Sequence, residues 1–359
     1  MPIHDLGYRN WSGERSSEKL RWLVIAETGI RLAWKNRWVR RMMFAAWIPC
    51  IVFGLAIFLF EQYMRQPPVV RQGAQQLQKL QKEFNRIQQG SNSATGRPGI
   101  RRPRSSLGNN PVLAWLAGSR LMQEADPTDT KAFRHAFWAS LLFYLFRYSQ
   151  SYLIVLMIGL IAPPLISKDF RSRAFLVYFA RPLSVFEYVL GKSLVIATYV
   201  FLISAFPAIF LLIFGAFLSP SVEVLLSTWD ILIRILLSLI VLVVPTTVVS
   251  LCLSSMCEDS RYAGFAWFAA WILGAVTYAI LNLFAFANPS IRQNATALFS
   301  ESDYVALISP YHMMGVIQGW IFGQESDFMN ILPHLCVLAV ITICAAFVLL
   351  RKVSKPMNV

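Results

Sequence analysis

The sequence predicts an all-α polytopic membrane protein with about six transmembrane helices. Hydrophobic residues make up 56% of the 359 residues and charged residues only 14%, whereas soluble domains carry about 25% charged residues. Six stretches are apolar over the ~20 residues that a helix needs to cross the hydrocarbon core, and they lie at 42–60, 136–166, 193–218, 231–256, 262–287 and 331–350. Because lipid offers the backbone no hydrogen-bond partners, we expect each of these segments to be a helix.

Residues 1–41, before the first span, predict a cytoplasmic N-terminus that contains an interfacial amphipathic helix. Between 17 and 41, arginines and lysines alternate with apolar residues at roughly helical spacing: Leu20, Leu23, Val24, Ile30, Trp34 and Trp38. A basic helix with tryptophan on its apolar face lies at the membrane surface, in contact with lipid headgroups. An amphipathic helix packed on protein is the alternative.

The distribution of lysine and arginine predicts that both termini face the cytoplasm. Basic residues crowd 1–41, the segment 167–192 and the tail 351–359, whereas 219–230 has none and 288–330 has only Arg292. Positive charge marks the cytoplasmic side of a membrane protein. The outer segment 61–135 is also basic, but loops longer than about 60 residues are translocated largely regardless of charge. Its composition predicts partial flexibility, and it leaves open a second function, a membrane scaffold whose basic outer loop recruits an extracytoplasmic partner.

The second apolar stretch, 136–166, is too long for one perpendicular crossing. At ~1.5 Å per residue it would reach about 46 Å, against a hydrocarbon core of about 30 Å. We therefore expect 133–146 at the outer interface and a crossing from about Arg147 to Leu165. Within the outer loop 288–330, a short helix is predicted over 309–322, with Ser309 as its N-cap and Pro310 in its first turn. It is too short to span and is expected to lie in the interface or to re-enter the membrane.

Sequence motifs that indicate an enzyme are missing. The chain has no HExxH, GxSxG, EF-hand or GxGxxG pattern, and Phe186 stands where a phosphate-binding loop ending in Gly191 and Lys192 would need its first glycine. The four histidines are scattered and the five cysteines form no CxxC pair, which predicts no metal site. The basic residues follow the membrane flanks without a nucleic-acid-reading module. We therefore expect this chain to have no catalytic residue, no cofactor and no nucleic-acid partner.

Polar side chains within or beside the apolar stretches are candidates for a translocation path, because charge at membrane depth is costly and often functional. The candidates are Arg147, Gln150 and Asn282, together with Arg234 near the start of its span. An Arg147 or Arg234 that snorkels outward is the alternative.

The most informative segment is the cytoplasmic stretch 167–192. Ser167 is a candidate N-cap with Asp169 in the first helical turn, and this helix must end before Pro182. Ser184 and Glu187 form a capping-box pattern that starts the next helix. A short amphipathic helix with basic and aromatic side chains at such a corner is shaped to dock into a groove of a partner. Packing within the chain is the alternative.

The run from 165 to 192 reads LISKDFRSRAFLVYFARPLSVFEYVLGK, and it resembles the cytoplasmic segment between the second and third spans of permeases of the ABC (ATP-binding-cassette) type-2 exporter class. That pattern is a polar-acidic helix start, an aromatic corner ending in Ala-Arg-Pro, and S-x-x-E-Y-x-x-G-K. The matching residues are Asp169, Arg171, Tyr178, Ala180, Arg181, Pro182, Ser184, Glu187, Tyr188, Gly191 and Lys192. Six spans with cytoplasmic termini extend the resemblance over most of the chain, while the loop 61–135 is longer than in compact members.

The resemblance implies the permease half of a transporter in a bacterial cytoplasmic membrane. A separate cytoplasmic ATPase subunit would bind ATP and magnesium and dock on the helix predicted over 167–180, which we call the coupling-type helix. A second copy of the permease, or a paralogue, would complete the translocation path. The docking residues that the resemblance points to are Lys168, Asp169, Phe170, Arg171, Arg173, Phe175, Tyr178, Arg181, Pro182 and Glu187.

Overall fold

The computed structural model describes residues 21–65, 119, 121–122, 129–172, 183–219, 228–287 and 304–354. Every element in these ranges is helical. In chain order the helices are α1 (Arg21–Trp34), α2 (Arg37–Arg65), α3 (Thr130–Tyr148), α4 (Val155–Ile161), α5 (Pro163–Arg171), α6 (Val185–Ile203), α7 (Ala205–Leu218), α8 (Trp229–Met256), α9 (Ser260–Ala287), α10 (Pro310–Ile321) and α11 (Phe328–Ser354). A π-helical segment, Ser149–Ile154, joins α3 to α4, and a 3₁₀ turn, Tyr304–Ile308, precedes α10.

Six helical stretches in this part of the chain are long and apolar enough to cross a membrane. They are Arg37–Arg65, Thr130–Arg171, Val185–Leu218, Trp229–Met256, Ser260–Leu283 and Phe328–Ser354. Each contains one predicted span or most of it. The predicted fold class, an all-α polytopic membrane protein with six spans, is confirmed.

The N-terminal amphipathic helix ends earlier than the sequence predicts. A single helix was expected over 17–41, but α1 stops at Trp34 and α2 begins at Arg37. The reason is local, because the Asn36 side chain accepts the Trp38 amide at 3.0 Å and so caps the start of α2. Within α1, Ala26 is buried and the Ile30 carbonyl accepts the Tyr199 hydroxyl of α6 at 2.8 Å. This face of α1 therefore packs on protein.

The second span is interrupted twice. Its helical ladder widens into the π-helical segment after Tyr148, and Trp267 Nε1 of α9 donates to the carbonyl oxygen of Val155 just beyond that segment, at 2.9 Å. A second break falls at Ala162, before the two prolines that open α5. The expectation that 133–146 lie at the outer membrane interface stays a prediction.

The third span bends at Ser204, between α6 and α7. Pro207 has no amide hydrogen to offer the carbonyl of residue 203, and its ring crowds that turn. The Ser204 hydroxyl bonds back to the Val200 carbonyl at 2.7 Å. Pro207 therefore accounts for the break between α6 and α7.

Consecutive spans alternate in direction, so the bundle has two ends. The corner end holds α1, the end of α5, the start of α6, the α8–α9 turn and the end of α11. The loop end holds the end of α2, the starts of α3 and α8, and the end of α10. At the loop end Arg65 Nη2 donates to the Leu218 carbonyl at 2.6 Å, which joins α2 to α7.

Candidate functional site

We define the polar corner as Asp169, Tyr188 and Lys192 with the helix ends that carry them. Its arrangement depends on where α5 starts. The sequence predicted that Ser167 starts this helix with Asp169 in its first turn, and this is wrong. The helix starts at Pro163, because proline is well suited to a first helical turn, where no amide bond is lost. Ser167 lies inside the helix and returns its hydroxyl to the Pro163 carbonyl at 2.6 Å, as serine does at interior positions. Asp169 therefore lies in the last turn.

The start of α5 is held by a single side chain of α8. The hydroxyl of Ser254, which is fully buried, donates to the Pro163 carbonyl at 2.7 Å and accepts the Ile166 and Ser167 amides, each at 3.2 Å. A hydroxyl has one donor and two acceptor sites, so Ser254 uses all of its capacity on this contact. The contact fixes α5 to α8.

The end of α5 is held by the centre of the polar corner. Lys192 Nζ of α6 lies 2.7 Å from Asp169 Oδ2, with the two side chains only 10% and 15% exposed. The Tyr188 hydroxyl donates to the same oxygen at 2.7 Å. One carboxylate oxygen thus accepts from two side chains of α6. Because buried charge is costly without partners, this cluster fixes how α5 meets α6.

The capping box that the sequence predicted at the start of α6 is confirmed. The Ser184 hydroxyl accepts the Glu187 amide at 3.2 Å, and Glu187 Oε2 accepts the Ser184 amide at 2.8 Å. Glu187, a predicted docking residue, thus has a structural role because it caps the N-terminus of α6 together with Ser184.

Gly191 lets α1 approach the same part of α6. A Cβ at this position would lie 2.8 Å from the Trp22 carbonyl oxygen of α1, which is closer than a carbon and a backbone oxygen tolerate. The glycine of the Gly-Lys pair therefore serves close helix packing, while the lysine beside it reaches Asp169.

Of the other predicted docking residues, three lie in the described part of α5 and the rest do not. Lys168 and Arg171 are exposed at the end of α5, and Arg171 Nη1 lies 3.6 Å from Asp259 Oδ1 in the α8–α9 turn. Phe170 is half-buried and packs against the core between α5 and α6. The remaining predicted docking residues lie outside the described residues: Arg173, Phe175, Tyr178, Arg181 and Pro182. Their role stays a prediction.

Of the path candidates, Arg147 and Asn282 do not line a common cavity in the described part of the chain. Arg147 lines a cavity of about 330 Å³ between α3, α9 and α10. Asn282 donates to the Tyr278 carbonyl of its own helix at 3.0 Å and is absent from the described lining of that cavity. The side chain of Gln150 lies outside the described residues.

Sequence reasoning missed two ion-pair groups at the loop end. Arg134 Nε lies 3.0 Å from Glu61 Oε1, and the Glu61 side chain is 2% exposed. Asp230 contacts His135 Nε2 and Arg234 Nε, each at 2.9 Å, and Arg234 Nη1 donates to the Ile321 carbonyl at 2.8 Å. A lone acid at the end of an apolar stretch, such as Glu61, was the available signal. Across the described ranges no group of three or more His, Cys, Asp or Glu could hold a metal ion.

Six helical stretches that are long and apolar enough to cross a membrane define a polytopic membrane protein. Residues 31–353 match the sequence profile of the ABC-2 family transporter proteins. The chain belongs to this family and is a membrane permease component of an ABC transporter. A comparison with curated proteins finds no matching sequence. The resemblance of the segment 165–192 is thereby confirmed as a family relationship.

Proposed function

We propose that this permease docks a separate cytoplasmic ABC ATPase on the surface around the α5–α6 corner. The observation that carries the proposal is the Asp169–Tyr188–Lys192 cluster, which fixes the last turn of α5 to α6 through two 2.7 Å contacts. A partner that displaces α5 therefore displaces the start of the third span with it. Movement of the ATPase can reach the third span through these contacts.

The exposed residues beside the polar corner suit such a partner. Lys168 and Arg171 project from the last turn of α5 and add positive charge next to the half-buried Phe170. Charged side chains around an apolar anchor give an interface orientation and a fast association rate. In this proposal the partner binds ATP and magnesium, and this chain contributes no catalytic residue.

The orientation and assembly belong to the same proposal. Exposed basic residues at the corner end, among them Arg261, Arg351 and Lys352, support a cytoplasmic position for this end and for both termini. The membrane is the cytoplasmic membrane of a bacterium. A second copy, or a paralogue, completes the transporter, and the largely exposed apolar helices α9 and α11 are available to it and to membrane lipids.

A charge-reversal experiment tests the docking. The double variant Lys168→Glu/Arg171→Glu changes two exposed side chains, so it should reach the membrane in normal amounts yet lose most of the ATPase that purifies with the tagged wild-type protein in mild detergent. Arg351→Glu/Lys352→Glu is the matched control, because it makes the same change in charge at the same end of the bundle. Mass spectrometry of the purified samples gives the stoichiometry. Equal retention, or equal loss, in the two variants would remove the docking role.

A further inference from the structure

The cavity beside Arg147 has the size and lining of a small-ligand site. Its volume is about 330 Å³, at the lower end of the range of ligand pockets. Its walls come from α3, α9, α10 and the residues after α10, and they include Phe143, Tyr278, His312, Gln324 and Glu325 besides Arg147.

The cavity is largely open, and it extends from the exposed Glu325 at its rim to Arg147. Arg134 marks the loop end, where it pairs with Glu61, and Arg147 lies about 20 Å farther along α3. From the other side, the start of α10 packs on the middle of α9, since a Cβ on Gly274 would lie 2.9 Å from Pro310 Cδ. The Arg147 charge is therefore held far below the loop end, and α10 begins at a similar depth.

The position of the Arg147 guanidinium is fixed by α10. Arg147 Nη1 donates to the Tyr311 carbonyl at 2.7 Å, and the guanidinium carbon lies 3.6 Å from the centre of the Tyr311 ring. The absence of a side chain at Gly315 makes this possible, because a Cβ there would collide with the guanidinium. A guanidinium has five donors in a planar fork, so it suits carboxylate and phosphate groups. The positive first turn of α10 adds to its field.

The rest of the described lining is neutral or apolar, except at the rim. His312 stacks on Tyr278 with ring centres 3.5 Å apart, and its Nδ1 lies 2.9 Å from the Ser309 hydroxyl. Gln324 Nε2 donates to the Ser140 hydroxyl at 3.0 Å. Glu325 is exposed at the rim, and its negative charge disfavours ligands with several anionic groups.

We propose that this cavity binds an amphipathic organic anion, whose single carboxylate or phosphate pairs with Arg147 and whose apolar part lies against Phe143 and Tyr278. The anion has two possible sources, a membrane lipid headgroup or a soluble cargo molecule, and the chemistry of recognition is the same. The statement that the occupant is transported rests on the proposed function, but the binding itself does not.

Binding of defined probes to the full chain tests this inference. The protein is purified in the neutral detergent dodecyl maltoside, and binding is measured by native mass spectrometry and calorimetry. The probes are dioctanoyl phosphatidylglycerol, its zwitterionic counterpart dioctanoyl phosphatidylcholine, and decyl phosphate. We expect an anionic probe to bind, the zwitterionic lipid to bind more weakly, and Arg147→Gln to weaken anion binding about tenfold or more, as the loss of a charge-assisted contact does.

Two further variants separate ligand recognition from structural support. Arg234→Gln is the matched control, since Arg234 also donates to a carbonyl of α10, that of Ile321 at 2.8 Å, but is absent from the described cavity lining. It should keep the wild-type affinity for anions. Gly315→Ala keeps the positive charge but displaces the guanidinium, so it should weaken anion binding even if Arg147→Gln fails to fold.

Arg147-dependent binding of both anionic probes supports the site and means that it accepts an anion from either source. Arg147-dependent binding of phosphatidylglycerol alone assigns the site to lipid, and such binding of decyl phosphate alone assigns it to a soluble anion. Anion affinity that is unchanged by both Arg147→Gln and Gly315→Ala, or absent in the wild type, overturns the inference. Because no ATPase is needed, a chain that binds the anion but no ATPase would retain this site and lose the docking proposal.

Discussion

Lys192 carries its charge within the helical packing, where an unpaired ammonium group would be strongly disfavoured. Its partner Asp169 lies at 2.7 Å and both side chains are nearly buried. Removal of one member of a buried pair costs about 3 kcal/mol or more, since the other charge is left without a partner, whereas removal of both costs much less. The polar corner therefore stabilises the fold through the pairing of the two charges, more than through either residue alone.

A double-mutant cycle tests this pairing. We expect Lys192→Met and Asp169→Asn each to lower the thermal stability of the purified permease, and the double variant to be more stable than the sum of the two losses predicts. Thermal unfolding in detergent provides the measurement. Lys168→Met serves as the control because Lys168 is exposed on the same turn of α5. Strictly additive losses would mean that the two charges do not depend on each other.

His312 lies in α10, outside the six spanning helices, and its pKa is lowered from 6.5 to about 4. Burial disfavours the charged ring first, and the nearby Arg147 charge adds repulsion. The Tyr278 ring, stacked on the imidazole from α9, brings no positive charge. The unfolded chain binds this proton near pH 6.5 and the folded chain only near pH 4, so stability falls as the pH drops through this window.

The pH response should therefore depend on His312. Between pH 7.5 and pH 5 we expect wild-type protein to lose about 1 kcal/mol more stability than His312→Gln, a value reduced from the full shift because the ring is partly solvated. Thermal unfolding of both proteins at the two pH values measures the difference. His334→Gln is the control, as His334 bonds within α11 to the Asn330 carbonyl. A variant that keeps the wild-type response would assign the slope to other groups.

At the scale of helices, the contact between α1 and α6 depends on one missing side chain. Gly191→Ala would place a carbon 2.8 Å from the Trp22 carbonyl, so we expect α1 to shift from α6 and stability to fall by about 1–3 kcal/mol. Gly264→Ala is the control, because its Cβ would meet Pro163 Cγ at an ordinary 3.5 Å. It should be neutral or slightly stabilising, since alanine favours helix. Unfolding curves that rank the two variants equally would contradict the close approach.

The elements also show what sequence patterns can predict. Composition and span length predict the six spans, because the bilayer imposes length and apolarity on each one separately. The capping box of Ser184 and Glu187 was equally predictable, as its partners are three residues apart. The starts of α2 and α5 were not, since Asn36 competes with helix continuation and Ser254 of α8 supports the prolines from a distant part of the chain.

The contacts that form the polar corner and the cavity could not be predicted from sequence patterns, for the same physical reason. The pairing of Asp169 with Lys192 joins two helices across a connection, and the contact of Arg147 with Tyr311 joins α3 to α10. Sequence marks these residues as unusual because charge is rare near the membrane. It does not determine which backbone or side chain will be opposite them, because tertiary packing decides that.

At the scale of the whole molecule, the two ends of the bundle differ in exposed charge over the described residues. The corner end carries more exposed basic than acidic side chains, whereas the described surface of the loop end carries Asp129, Glu325 and Asp327 beside Arg65 and Lys131. An anionic inner leaflet and the membrane potential favour the basic end on the cytoplasmic side. In the proposed function the same orientation places the polar corner on the side of the ATPase, so the proposed topology and the proposed docking depend on one asymmetry.

Cysteine labelling of intact cells tests this topology. In a chain whose five cysteines are replaced by alanine or serine, we expect Glu325→Cys and Asp327→Cys to react with a membrane-impermeant maleimide added outside, because both positions are exposed at the loop end. Ser172→Cys and Arg351→Cys, exposed at the corner end, should react only after the cells are opened. The cysteine-free chain gives the background. Labelling of the corner-end positions from outside would mean that the protein has the opposite orientation in the membrane. The polar corner would then be out of reach of any cytoplasmic ATPase.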